Sequence, residues 1–194
     1  TPFVYSLSGI ARKLFPITDD KSFEDNAMDI DYVQRRLSYS QFHIMLVGQY
    51  ENALQYSSYV FGNEYDGLYK FQCNGIAVIF YVISVRATEE WEKSYLIRLR
   101  DFKKHVSVTG LTYSGLIVIC ENEFQALRAE RSRSGDKEIN DLDIYYVCDY
   151  AAVAEGSILQ YVINVKPEQN YSSYDIIHIH VDGAVTENNV NKGE

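Results

Sequence analysis

Phe42-His43-Ile44-Met45-Leu46-Val47-Gly48 is the first of four nearly unbroken apolar runs, and the way it is read decides the fold. The others are AVIFYVI (Ala77 to Ile83), GLIVIC (Gly115 to Cys120) and IYYVC (Ile144 to Cys148). Apolar side chains without alternation predict strands buried on both faces, the pattern of an α/β fold with a mainly parallel central sheet and helices on both sides. In open sheets of this kind ligands bind beyond the carboxyl ends of the strands. The residues that follow Gly48, Phe71, Cys120 and Cys148 are therefore the places where chemistry is expected.

Between the runs, the pattern turns helical. Asn26 to Ser38 predicts a short helix before the first strand, and NALQYSSYVF (52–61) another after it, ended by Gly62 and Asn63. Leu68 to Cys73 reads as a short strand turned by Asn74-Gly75 into the second long run. Trp91, Tyr95, Leu99, Phe102 and Val106 then form a stripe at helical spacing, with Thr88 as the expected N-cap. Further helices are expected over Phe124 to Arg133 and Glu155 to Val165, and one more strand over Tyr174 to Val181. The domain organisation expected is an N-terminal arm (1–25), one α/β domain (26–167), and a C-terminal extension (168–194) with a strand and a polar tail.

The whole chain has 194 residues, 46% of them hydrophobic, enough for one domain with a full core. Cys73, Cys120 and Cys148 have no CxxC spacing and lie in or beside apolar runs. They read as buried reduced thiols of an intracellular protein, in cytoplasm or nucleus. The apolar stretch from Ile76 to Val85 is too short to span a bilayer. A formal charge of −9, from 27 acidic against 18 basic residues, repels a phosphate backbone. Together with 17 tyrosines it points to protein partners rather than free nucleic acid.

Taken in chain order, residues Phe42 to Pro167 resemble a Ras-like small GTPase. FHIMLVGQYENALQYSS is similar to the first strand, phosphate loop and first helix of that superfamily. GIAVIFYVISVRATEEWEKSYLIRLRDF is similar to the strand and helix after its second switch, GLIVICENEF to the strand carrying NKxD, and IYYVCDYAAV to the strand ending in the SAK loop. The resemblance implies a nucleotide site, and the residues at its positions lack the chemistry. A phosphate loop, GxxxxGK(S/T), needs a lysine for the phosphates and a hydroxyl for magnesium. From Gly48 onward this chain has Ala53 at the second glycine, Leu54 at the lysine and Gln55 at the hydroxyl, with Glu51 adding negative charge. The DxxG motif aligns with Gln72 to Gly75, an amide in place of the carboxylate, and NKxD aligns with Glu121, Asn122, Glu123 and Phe124, with no aspartate for guanine. No cofactor, no metal and no catalysis are expected. The function implied is a pseudo-GTPase serving as a protein-protein interaction or scaffold module.

A second resemblance leads elsewhere. Asp66-Gly67 followed by Ile83-Ser84-Val85-Arg86 is similar to a PD-(D/E)XK nuclease core, with Asp66 as the metal ligand and Ser84 and Arg86 at the Glu and Lys positions. It implies a degenerate nuclease fold with nucleic-acid binding or residual metal-dependent activity, one carboxylate short. His178 and His180 alternate with Asp182 beyond and raise a metal-chelate reading against that of a solvated strand edge; the edge is expected.

Overall fold

The computed structural model describes residues 30–50, 53–56, 65–152, 157–165 and 173–182. The arm (1–25), residues 57–61 of the helix expected after Gly48, and the polar tail beyond Asp182 lie outside the described residues. Among the described residues, three α-helices, α1 (Ile30–Tyr50), α2 (Trp91–Thr109) and α3 (Glu123–Ser134), pack on one seven-stranded mixed sheet. Its strands are β1 (Leu54–Tyr56), β2 (Gly67–Cys73), β3 (Ile76–Ser84), β4 (Gly115–Cys120), β5 (Ile144–Cys148), β6 (Val162–Val165) and β7 (Tyr174–Ile177), and they lie side by side in chain order.

The sheet is mostly antiparallel, which corrects the mainly parallel expectation. Only β3–β4 and β4–β5 pair in parallel; β1–β2, β2–β3, β5–β6 and β6–β7 are antiparallel. The two parallel joins are those bridged by α2 and α3, because a parallel neighbour needs a crossover connection. The covering of both faces by helices is as expected. In β3, Phe80 and Val82 enter one core while Tyr81 and Ile83 enter the other, and in β4 Ile117 and Ile119 oppose Leu116, Val118 and Cys120. Helix α1 covers the first face through Tyr39, Phe42, Leu46 and Tyr50; α2 and α3 cover the second through Trp91, Tyr95, Leu99, Phe102, Ala126 and Ala129. Each buried leucine- or phenylalanine-sized side chain among these contributes about 1.5–3 kcal/mol.

The largest correction concerns Phe42 to Gly48, which is the second half of α1 and not a strand. A short apolar run fits a buried strand and a buried helix equally well, and only a wider window separates them. Here the window from Tyr39 to Tyr50 buries positions 39, 42, 46 and 50, steps of three and four, while Ile44 inside the run is 68% exposed. Downstream, Leu54 and Gln55 belong to edge strand β1, so the helix expected from residue 52 is a strand where it is described. Of the helix expected over Glu155 to Val165, the described part from Ser157 is a 3-10 turn (Ile158–Gln160) followed by β6, and the expected strand over Tyr174 to Val181 stops at Ile177. The cap residue of α2 is Glu90, at φ 56°, rather than the expected Thr88, and Trp91 N–H donates to the Thr88 carbonyl. The Asn74-Gly75 turn forms as expected, with φ of 52° and 77° suiting a tight hairpin. Asp182 clasps it from far along the chain, accepting from Asn74 N–H at 3.0 Å and Gly75 N–H at 2.6 Å.

One polar chain crosses the α1 core. Tyr69 Oη lies 2.8 Å from both His43 Nδ1 and Tyr39 Oη. Burial lowers the His43 pKa below its ordinary 6.5, so the unfolded chain binds that proton more readily than the native one. The stability held by neutral His43 is therefore complete above its ordinary pKa and is lost as pH falls through it toward the native value. Melting temperature should fall more steeply between about pH 7.5 and 5.5 in the wild type than in His43→Gln. Equal slopes would show that His43 carries no such linkage.

Candidate functional site

Strands β3, β4 and β5 run in the same direction, and their carboxyl ends form one edge of the sheet. Because β2 is antiparallel to β3, the residue that opens β2 reaches this edge too. Asp66, Ser84, Arg86, Glu121 and Asp149 are gathered there from four separate segments. Asp66 is fully buried, and its backbone N–H donates to the Val82 carbonyl at 2.7 Å. Its Oδ2 accepts from Ser84 N–H at 2.6 Å and lies 2.8 Å from Ser84 Oγ, which is also 3.1 Å from the Arg35 carbonyl oxygen. Its Oδ1 accepts from Arg98 Nη2 at 2.8 Å, while Arg98 Nη1 donates to the Ser84 carbonyl at 2.8 Å. Next to them, buried Arg86 grips Asp149 with both terminal nitrogens, at 2.6 and 2.9 Å, and Ser38 Oγ donates to the same carboxylate at 3.1 Å.

Gly67 makes this closeness possible. A Cβ there would sit 2.0 Å from Tyr39 Oη, so only a residue without a side chain lets α1 lie against the start of β2.

The residues taken from the nuclease resemblance are thus brought together, and their donor set does not fit a divalent metal ion. Hard cations need several free oxygen ligands, carboxylates above all. Both oxygens of Asp66 are already engaged by N–H and O–H donors, Ser84 brings a hydroxyl where a second acid is needed, and the Arg98 guanidinium occupies the side of Oδ1 a cation would approach. Among the described residues no cluster of three His, Cys, Asp or Glu could hold a metal ion. At the chain's other end, His180 Nε2 is 3.8 Å from Asp182 Oδ1, a carboxylate already engaged by the hairpin turn.

The positions carried over from the GTPase resemblance are not brought together. Gly48 is in α1, Ala53 in a turn, and Leu54 and Gln55 in β1, where they pair with Phe71 and Lys70. Gln72 and Gly75 sit at the β2–β3 turn, beside the amino end of β3, whereas Glu121, Asn122 and Phe124 follow the carboxyl end of parallel β4. They occupy opposite ends of the sheet. Each also has a local task. Glu121 accepts from Ala87 N–H at 2.9 Å, and Asn122 caps α3 by accepting from Gln125 N–H at 3.0 Å. Phe124 is 69% exposed, with Arg128 over its ring at 5.8 Å.

Arg35, Arg98 and Asp149 were not among the sequence-derived candidates. The signal for Arg98 lay in the α2 stripe: positions 91, 95, 98 and 102 also step by four, three and four, which places a charged residue on the buried face. None of the α-helices among the described residues is long and apolar enough to cross a membrane. No family model, curated protein or solved structure matches the chain.

Proposed function

We propose that this chain is a catalytically inactive domain, built on a degenerate PD-(D/E)XK-type nuclease scaffold, that works as a protein-protein interaction module. One observation carries the reading: Asp66 and Ser84, the positions of a metal-binding acid pair, are in contact at adjacent strand ends, with the Arg98 guanidinium held on the carboxylate. A built-in cation takes the place of an exchangeable one, which keeps the buried charge paired and leaves nothing to activate water. The net charge of −9 weighs against a nucleic-acid backbone as the partner. The pseudo-GTPase alternative has less support, since its phosphate-loop residues run through α1 into β1.

Plasmid and single-stranded oligonucleotide, incubated with the full chain and magnesium or manganese, should remain intact, and Asp66→Asn should behave identically. Metal-dependent cleavage that disappears in Asp66→Asn would overturn the proposal. Calorimetry with GDP and GTP in magnesium should show no heat of binding, and micromolar affinity would overturn both this reading and the pseudo-GTPase one.

A further inference from the structure

Asn74-Gly75 is the only place in the chain where glycine follows asparagine, and both residues are exposed at the tip of the β2–β3 hairpin. That dipeptide carries chemistry of its own. The Gly75 nitrogen can attack the side-chain carbonyl carbon of Asn74: the N–Cγ bond forms, the Cγ–Nδ2 bond breaks, and ammonia leaves with the proton that Gly75 N–H gives up. A succinimide ring remains. Water then adds to one imide carbonyl carbon and breaks its bond to nitrogen, giving aspartate or, where the main chain is rerouted through the side chain, isoaspartate. No oxidant or reductant takes part. Glycine favours this more than any other follower, since no Cβ shields its nitrogen or restricts the rotation that brings it to Cγ.

The fold sets a guard on that nitrogen. Gly75 N–H donates to Asp182 Oδ2 at 2.6 Å, Asn74 N–H to Oδ1 at 3.0 Å, and Asp182 N–H to the Gln72 carbonyl at 2.9 Å. Cyclisation requires the Gly75 nitrogen to lose its proton and to turn toward Cγ. A carboxylate on its N–H opposes both, because a deprotonated nitrogen would face a negative oxygen and because the bond holds the nitrogen in the turn.

The same hydrogen bonds fasten more than the turn. Asp182 follows Ile179 and Val181, both buried in the core beneath α1, and Ile179 N–H donates to the Leu159 carbonyl at 2.9 Å. An aspartate at 74 would bring a second carboxylate beside that of Asp182. An isoaspartate would lengthen the main chain of a tight turn, so that its N–H groups no longer converge on one carboxylate.

We propose that Asn74 is a site of spontaneous deamidation guarded by Asp182, and that its conversion frees Asp182 and the residues before it from the β2–β3 hairpin. The reaction needs water alone and proceeds through local openings of the clasp, which makes it a one-way clock on the age of the folded chain. It does not depend on the nuclease or GTPase ancestry of the scaffold.

The test incubates the full chain at fixed pH and physiological temperature and follows residue 74 by peptide mass spectrometry, with electron-based fragmentation to separate aspartate from isoaspartate. Asp182→Asn, which removes the charge but keeps an acceptor, should convert faster than wild type, and Asp182→Ala faster still, by about tenfold or more over wild type. Circular dichroism establishes that the variants are folded, and Asp182→Asn provides the result if Asp182→Ala is not. In Asn74→Asp, the amide of Asp182 should exchange its hydrogen faster, while amides at the centre of β4 keep their protection. Rates that do not rise in the folded Asp182 variants would overturn the guard, and unchanged exchange at Asp182 in Asn74→Asp would overturn the release. Asn74 left intact in wild type after prolonged incubation would overturn the site itself.

Discussion

Arg98→Met should cost the native state about 3–5 kcal/mol, measured by urea or guanidinium unfolding, because it leaves the fully buried Asp66 carboxylate without its cation. Methionine keeps much of the side-chain volume in α2, so the loss reports charge rather than a cavity. The Ser84 carbonyl also loses its donor, Arg98 Nη1. Asp66→Asn in the same chain removes the unpaired charge and should restore a substantial part of the loss, making the pair strongly coupled in a double-mutant cycle. Additive single effects would mean that the guanidinium is not what balances the carboxylate. Replacing both partners together is the informative arm, since a buried pair removed whole is often far less costly than one broken in half.

The second large effect belongs to Glu130, on α3. This 3%-exposed carboxylate accepts from Arg133 Nε at 3.0 Å, Ser134 Oγ at 2.8 Å and Tyr146 Oη at 2.9 Å, and Arg133 Nη2 also pairs with it. Since Tyr146 donates its proton to Glu130, its oxygen can accept from Tyr95 Oη, 3.2 Å away, so one chain of hydrogen bonds ties α2 to β5 and α3. Arg133 in turn donates to the Asn140 carbonyl at 2.7 Å, fixing the loop that leads into β5. Glu130→Ala should destabilise by about 3–5 kcal/mol, with Glu130→Gln milder because it keeps one acceptor oxygen. A loss below about 1 kcal/mol for Glu130→Ala would show that the network is peripheral.

How far the sequence could carry the fold depended on what sets each signal. β3, β4 and β5 were legible because two covered faces leave a strand no polar position, and α2 because its stripe runs over several turns. Strand direction was legible only between β2 and β3, where the Asn74-Gly75 turn makes a hairpin. Elsewhere a fully covered strand reads the same whether its neighbour is parallel or antiparallel, so nothing local corrected the mainly parallel expectation. Phe42 to Gly48 misled for a related reason: Ile44 is apolar yet exposed, filling the gap that would have revealed a helical period. At the site, Asp66, Ser84 and Arg86 could be picked out because a known motif spacing joins them. Arg98 showed only as a charge on the buried stripe of α2 and Asp149 not at all, since their roles arise from α2 and the end of β5 meeting the same sheet edge, a long-range fact that spacing does not encode.

The strand order has a consequence for how the molecule is made. From β1 to β7 every strand lies beside its predecessor in the chain, so each newly synthesised segment meets a template already present, and little loop-closure entropy is spent on distant partners. Assembly can proceed from one margin to the other as the polypeptide leaves the ribosome. The clasp of Asp182 on the Asn74-Gly75 turn is one exception, as is the hydrogen bond from Ser38 in α1 to Asp149. The clasp can close only after β7 has been made, so it serves as a latch fastened late rather than as a seed for folding.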